Sequence, residues 1–222
     1  MSDRATTKQV MFEHTARTGK ALASGKRLEL LDLLAQTERT VEGLARSARL
    51  GVSTTSAHLQ TLKRGGLVAT RKEGTRVYYR LASSDVARLY AGLRAVATTH
   101  LADVAAAVTA FLGPEVEHVA RDALLDRARR GDIVVLDVRP ADEYMAGHIP
   151  GAISIPLDEL AERLTELPAD TEIVAYCRGV NCVLAPDAVR LLAEHGRTAR
   201  RLVDGMLEWR LADLPVEAGS PS

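Results

Sequence analysis

Residues 51–81 read GVSTTSAHLQTLKRGGLVATRKEGTRVYYRL, and the order of signals within them decides the architecture of the first half of the chain. Ser53 is placed to cap a helix whose apolar side carries Leu59 and Leu62, and Gly65-Gly66 supplies a glycine stop. Leu67-Val68 and Val77-Tyr78-Tyr79 then read as two strands around a polar stretch centred on Glu73-Gly74, which predicts a β-hairpin. Upstream, Leu50-Gly51-Val52 predicts a turn with Gly51 available for a positive φ, preceded by a short helix over Val41 to Ala48. Earlier still, Leu28, Leu30, Leu31, Leu33 and Leu34 form a dense apolar helix that breaks at Thr37 to Thr40. Helix, helix, turn, helix, hairpin is the order of a winged helix-turn-helix; the alternative is an unrelated α+β domain holding a helical hairpin.

Downstream, Val86, Leu89, Tyr90, Leu93, Val96, Leu101, Val104, Val108 and Phe111 recur at three- and four-residue steps. That spacing predicts one amphipathic helix over 84–112. At ~1.5 Å per residue it would run about 40 Å, too long to bury against a small winged helix, so pairing with a second subunit is expected. Gly113-Pro114 stops the helix and sets the expected boundary between a first domain, 1–112, and a second, 113–222. Beyond it, the apolar runs from Ile133 to Val138 and from Glu172 to Tyr176 read as buried parallel strands. Helical stretches over Arg121–Arg130, Leu157–Thr165 and Asp187–His195 alternate with them, which predicts an α/β layer fold around a central, mostly parallel sheet.

Charge separates the same halves. Net charge is zero, yet residues 1–112 hold 17 Lys+Arg against 9 Asp+Glu, and residues 113–222 hold 12 against 20. Between residues 49 and 80 seven basic residues face one acid, Glu73. A solvated charged face is the bland explanation; a nucleic-acid surface is the other. No apolar run approaches twenty residues, the N-terminus has no uninterrupted apolar h-region, and two cysteines are too few for a disulfide framework. A cytoplasmic protein without membrane partners is expected.

Residues 7–112 resemble the ArsR/SmtB family of bacterial repressors, which are dimeric winged-helix proteins. The likeness rests on ALASGKRLELLDLL (21–34), GVSTTSAHLQTLKRGGLV (51–68) and KEGTRVYYRL (72–81). It implies that the helix from Ser53 to Arg64 enters the major groove of an operator duplex, with Ser53 at its start and Thr54, Thr55, Ser56 and His58 near its exposed N-terminal end, where base edges are read. Lys63, Arg64, Arg71, Lys72 and Arg76 are expected at phosphates, with Arg76 on the wing. His58 reads equally well as a helix residue without a base contact. Family members often sense metals, but the stretch VEGLARSARLGV lacks cysteines. The 84–112 helix offers Asp85, His100 and Asp103 without paired-histidine spacing. No metal site and no cofactor is expected.

Both cysteines lie in YCRGVNC (176–182). A zinc site needs about four ligands, and a phosphatase cradle needs an arginine directly after Cys182, where Val183 stands. An inert pair of small buried residues remains open. Residues 114–217 resemble a rhodanese (sulfurtransferase) domain, through LDVRPADEYMAGHIPGAISIP (136–156), YCRGVNC and VDGMLEWRLADLP (203–215). The resemblance implies that Asp137, Arg139, Glu143 and His148 form a buried polar framework, with Asp137 supporting the active loop. A strand ending at Tyr176 places Cys177 at the carboxyl edge of a parallel sheet, where α/β sites form. The amides of Arg178, Gly179, Val180, Asn181 and Cys182 are expected to make an anion nest that lowers the Cys177 pKa, with Arg178 holding an anionic sulfur donor. The expected reaction is attack of Cys177 on a sulfane sulfur, giving a persulfide for a thiol acceptor. Cys182 reads either as a resolving thiol or as a packed residue at a helix start. Pro186 reads as a first-turn proline or as a kink.

Together these readings describe a homodimeric, DNA-binding repressor whose rhodanese domain senses reactive sulfur through Cys177. A sulfurtransferase enzyme with accessory DNA binding is the main alternative, and an arsenite-responsive switch the lesser one.

Overall fold

The computed structural model describes residues 2–219 and divides into two compact units, 1–93 and 94–222. The first unit opens with helices α1 (Ser2–Leu22) and α2 (Gly25–Leu34), then β1 (Arg39–Thr40), α3 (Val41–Ser47), α4 (Val52–Arg64) and the hairpin β2 (Val68–Glu73) and β3 (Arg76–Leu81). β1 adds antiparallel to β3, so the sheet order is β1-β3-β2. Leu30, Leu31, Leu44, Leu59, Leu62 and Leu67 are at most 1% exposed and form its core. The helix-turn-helix and wing expected from residues 41–81 are present.

The start and end of α4 follow different rules. Its N-cap is Gly51 in an extended conformation at φ −69°, with no side-chain cap, so Ser53 lies inside the first turn rather than capping it. Gly51 therefore takes no positive φ. At the other end Gly66 does, at φ 74°. The Leu67 amide bonds the Leu62 carbonyl at 3.0 Å and the Gly66 amide bonds that of Lys63 at 3.0 Å. This pair of bonds satisfies the last carbonyls of the helix and turns the chain into the wing.

The continuous helix expected over 84–112 is instead two: α5 (Ser84–His100) and α6 (Ala102–Leu112), bent by 104°. Leu101 sits between them in an extended conformation, φ −116° and ψ 107°. Thr98, Thr99 and His100 are weak helix formers, while Asp103 in the first turn of α6 favours a new helix start there. Among the described residues no single helix is long and apolar enough to cross a membrane; only the bent pair α5–α6 passes on length and composition together.

The rest of the second unit comprises β4 (His118–Val119), α7 (Arg121–Arg130), β5 (Ile133–Asp137), α8 (Ala141–Ala146), β6 (Ile153–Ser154), β7 (Glu172–Tyr176), α9 (Leu184–Glu194), β8 (Ala199–Leu202) and α10 (Met206–Leu211). The five strands pair in parallel in the order β4-β8-β7-β5-β6. Side chains alternate across this sheet. Ile133, Val135, Val174 and Tyr176 enter one core, and Leu136, Ile173, Ala175 and Cys177 enter the other. The helix expected over Leu157–Thr165 is absent: the segment is a run of turns ending in a 3-10 turn, Leu164–Glu166. Leu160 and Leu167 are both drawn into the core from it, and that tertiary demand overrides a sequence of good helix formers. Pro186 lies in the first turn of α9 without kinking it, since the next amide, of Asp187, still bonds the Val183 carbonyl at 2.9 Å.

Candidate functional site

The first candidate surface is α4 with the wing. Val52, Ser53, Thr54, Ala57, Lys63 and Arg64 are exposed, while Ser56 and His58 are partly so. Thr55 differs: it is fully buried, and its hydroxyl donates to the Gly51 carbonyl at 3.0 Å. It secures the first turn of the helix and presents nothing to a base edge. The expectation for Thr55 is therefore corrected. Its cause is the helical period, which puts residue 55 on the side of Leu59 and Leu62.

On the wing, Lys72 and Arg76 are exposed. Arg71 is exposed but engaged. Its guanidinium binds Glu38 and, at 2.7 Å, Glu73, and it lies 4.8 Å above the Tyr78 ring. Those carboxylates raise its pKa further and already match its charge. Lys63 donates to the Thr70 hydroxyl at 3.0 Å, tying α4 to β2.

The second candidate site is the loop after β7. Beneath it lies a buried polar framework. Asp137 accepts from the Arg139 amide at 3.0 Å, from the Arg139 guanidinium at 2.6 Å and from the Tyr176 hydroxyl at 2.6 Å. All three residues are 0% exposed. Tyr176 also accepts the Ile149 amide at 3.1 Å, and burial holds its hydroxyl protonated far above the usual range. Asp137 thus fixes the residue immediately before Cys177. Glu143, also fully buried, binds the Arg178 guanidinium through contacts of 2.6–3.0 Å. Arg178 is therefore tied into the framework by this pairing. His148 stacks on Tyr144 at 3.7 Å, and its Nδ1 lies 2.9 Å from the Tyr144 carbonyl.

Above the loop lies the start of α10. The amides of Met206 and Leu207 donate to the carbonyls of Cys177 and Arg178 at 2.9 and 3.0 Å. Gly205 makes this approach possible, because a Cβ there would sit 2.2 Å from the Gly179 nitrogen and 2.6 Å from the Cys177 oxygen. Glu208 accepts the Gly205 amide at 3.0 Å and pairs with Arg94. Gly205, Met206 and Glu208 were not singled out by sequence reasoning. The signal was a glycine directly before a short helix with a glutamate three residues on.

Within the loop the Cys177 sulfur approaches the backbone of Cys182. Cys177 is 3% exposed and Cys182 is partly exposed. The Cys177 thiol donates to the Cys182 carbonyl at 3.5 Å and lies 4.0 Å from the Gly179 carbonyl. Burial pushes the Cys177 thiol well up, against the lowering expected from a nest. Cys182 is pushed down, chiefly by the neighbouring Cys177 side chain, with help from the Leu184 and Arg178 backbone and from the charge of Arg178. Among the described residues no group of three or more His, Cys, Asp or Glu side chains is arranged to hold a metal ion.

Comparison with known proteins matches the same two regions. Residues 24–70 match the family of bacterial regulatory proteins called arsR, and residues 120–212 match the rhodanese-like domain. The HTH-type transcriptional regulator Rv0324 of Mycobacterium tuberculosis is 55% identical over 221 residues, covering 100% of this chain and 98% of that one. A sulfurtransferase of Allochromatium vinosum is 29% identical over 104 residues, 46% of this chain and 96% of that one. Among solved structures, the homodimeric winged helix-turn-helix DNA-binding domain of Mb0332 from Mycobacterium bovis is 54% identical, covering 43% of this chain and 89% of that one at a TM-score of 0.42. A winged helix-turn-helix followed by a parallel-sheet unit with a cysteine loop, matched along its whole length by a regulator, leaves one assignment: this chain belongs to the ArsR family of bacterial transcriptional regulators and carries a rhodanese-like domain at its C-terminal end.

Proposed function

We propose that this regulator is a cytoplasmic, homodimeric repressor that carries sulfur on Cys177 and changes its affinity for a double-stranded operator when it does so. The observation that supports this reading most is the pair of cysteines, Cys177 donating to the Cys182 carbonyl at 3.5 Å, in a loop held from below by Asp137 and from above by α10. A sulfur added there has little room and must displace neighbours, which makes the loop a two-state element. Ser53, Thr54, Ser56 and His58 are the base-facing candidates, with Lys63, Arg64, Lys72 and Arg76 at phosphates. Leu89, Leu93 and Val96 of α5, with Leu101 and Phe111, are exposed apolar residues suited to self-association within 84–112.

The test uses an operator selected from a random duplex pool. An alkyl persulfide should shift operator affinity by about tenfold in the wild type, a coupling of about 1.4 kcal/mol, and leave Cys177→Ser unmoved. Equal shifts in both proteins would overturn the reading. The likeness of residues in the second half to a sulfurtransferase favours a second reading, in which turnover with a thiol acceptor is the main activity. That reading requires sustained turnover and operator affinity indifferent to the donor. The Arg178–Glu143 pairing argues against a dianionic donor such as thiosulfate in either case, since the nearest cation of the loop is already matched.

A further inference from the structure

We propose that Arg94 of α5, acting through Glu208, is a positioning residue for the cysteine loop, and that movement of the loop passes to α5 through this pair. The proposal rests on the reading that the loop carries sulfur on Cys177, and it names the contact by which a loaded loop acts on operator affinity. Arg94 and Glu208 both lie in the second unit, and their side chains form an ion pair that is only 13% and 17% exposed. Glu208 has a second task, since its carboxylate also accepts the Gly205 amide at 3.0 Å. The pair lies against the loop. A Cβ built on Gly179 would stand 3.1 and 3.3 Å from the two Glu208 carboxylate oxygens and 3.4 Å from an Arg94 guanidinium nitrogen. Gly179 therefore has no room to move toward the pair without displacing it.

The loop has little freedom elsewhere. Cys177 packs in one core with Leu136, Ile173 and Ala175. Its carbonyl and that of Arg178 are bonded by the Met206 and Leu207 amides, and the Arg178 side chain is held by Glu143. A sulfur atom added to Cys177 enlarges a side chain that is 3% exposed and already 3.5 Å from the Cys182 carbonyl. In a close-packed setting the neighbouring turn has to give way. The Cys182 amide bonds the Gly179 carbonyl at 3.0 Å, so Gly179 moves with that turn and meets the Arg94–Glu208 pair. An enclosed ion pair tolerates separation poorly, because each charge then stands desolvated without its partner. α5 is one helix from Ser84 to His100, beginning in the first unit and ending in the second. A displacement at Arg94 thus acts on the element that also carries Leu89, Leu93 and Val96, the exposed residues suited to self-association.

Operator affinity of the full chain, measured before and after exposure to an alkyl persulfide, tests the link, with peptide mass analysis reporting the load on Cys177. In loading, the Cys177 sulfur bonds the outer sulfur of the donor. The donor S–S bond breaks with its electron pair on the alkyl thiolate, which takes up the proton that Cys177 gives. The wild type should shift by about tenfold. In Arg94→Met, Cys177 should load while the shift falls to about twofold or less, and Arg94→Lys, which restores a charge opposite Glu208, should recover most of it. A full shift in Arg94→Met would overturn the proposal and leave the carrier reading standing. A loaded wild type that shows no shift would overturn that reading and the link with it. A second measurement needs no DNA. Iodoacetamide labelling of Cys177 should quicken by about fivefold in Arg94→Met and in Glu208→Gln, and by no more than that in the double variant, because each change removes the same contact. An unchanged rate in Arg94→Met, or effects that multiply in the double variant, would overturn the proposal by separating Arg94 from the loop.

Discussion

The two units hold their candidate sites in opposite ways, one in solvent and the other on a buried frame. In the winged unit the proposed DNA-facing groups of α4 and the wing stand in solvent, and a leucine core lies beneath them. In the rhodanese-like unit the cysteine loop rests on charged side chains that are themselves buried: Asp137, Arg139 and Glu143 are all 0% exposed. The difference suits the tasks proposed for them. Reading DNA needs side chains that reach outward from a rigid helix. Holding a reactive sulfur needs a backbone loop fixed from below, and a buried ion pair is directional enough to do so. Such a framework is intolerant of losing one partner, whereas an exposed pair such as Arg71–Glu73 is not.

The largest expected effect tests that contrast directly. Asp137→Asn removes the charge that matches Arg139 and weakens the acceptor of the Tyr176 hydroxyl. An uncompensated buried guanidinium costs about 3–5 kcal/mol. Trp209 is the only tryptophan in the chain and is fully buried in the same unit, so its fluorescence during urea unfolding reports this loss. Arg71→Ala in the winged unit should leave the helical circular-dichroism transition in place. An unchanged Trp209 transition in Asp137→Asn would break the comparison.

A smaller effect separates neighbours within α4. Thr54→Ala should weaken selected operators by about 1–3 kcal/mol and relax the preference at one base position. Thr55→Val removes the hydroxyl bonded to Gly51 and should lower stability by about 1 kcal/mol while leaving the base preference unchanged. Selection of a different base by Thr55→Val would mean that the buried side of α4 has been misassigned.

How much of this was legible in the sequence depends on how local the cause is. The winged order of elements follows from local signals, as do α7 over Arg121–Arg130 and β7 over Glu172–Tyr176, and all were expected where they stand. α1 was not expected. It is exposed along most of its length, with Ala21 buried near its end, so it carries no apolar stripe to recognise. The break at Leu101 and the turns of 157–163 depend on packing that no window of sequence contains. In the loop, both cysteines and Asp137 could be named from their spacing and resemblance. Which of the two cysteines is covered could not, because it depends on the packing of the loop against α10. Gly205 was legible only as a glycine; the backbone it admits, at Gly179, is 26 residues away in sequence.

The smallest expected effect compares one carboxylate from each unit. In the winged unit, the hydrogen bond from Arg71 holds Glu38 below the usual carboxylate range. In the rhodanese-like unit, Arg127 does the same for Glu172, through contacts of 2.7 and 3.1 Å at the start of β7. A depressed carboxylate binds its proton more weakly in the folded protein than in the unfolded chain. Its contribution to stability is therefore present above the unfolded pKa, about 4.3, and is lost as pH falls through the folded value. The Glu172 side chain is 16% exposed and that of Glu38 is 31% exposed, so solvent screens Glu38 more. Glu172→Gln should cost about 1 kcal/mol at neutral pH and flatten the acid limb of the Trp209 unfolding profile. Glu38→Gln should change the helical transition of its own unit by less. A steeper acid dependence on Glu38 than on Glu172 would mean that exposed pairs steady the winged unit as much as enclosed ones steady its neighbour, and the contrast between the two units would then rest on the fully buried framework around Asp137 alone.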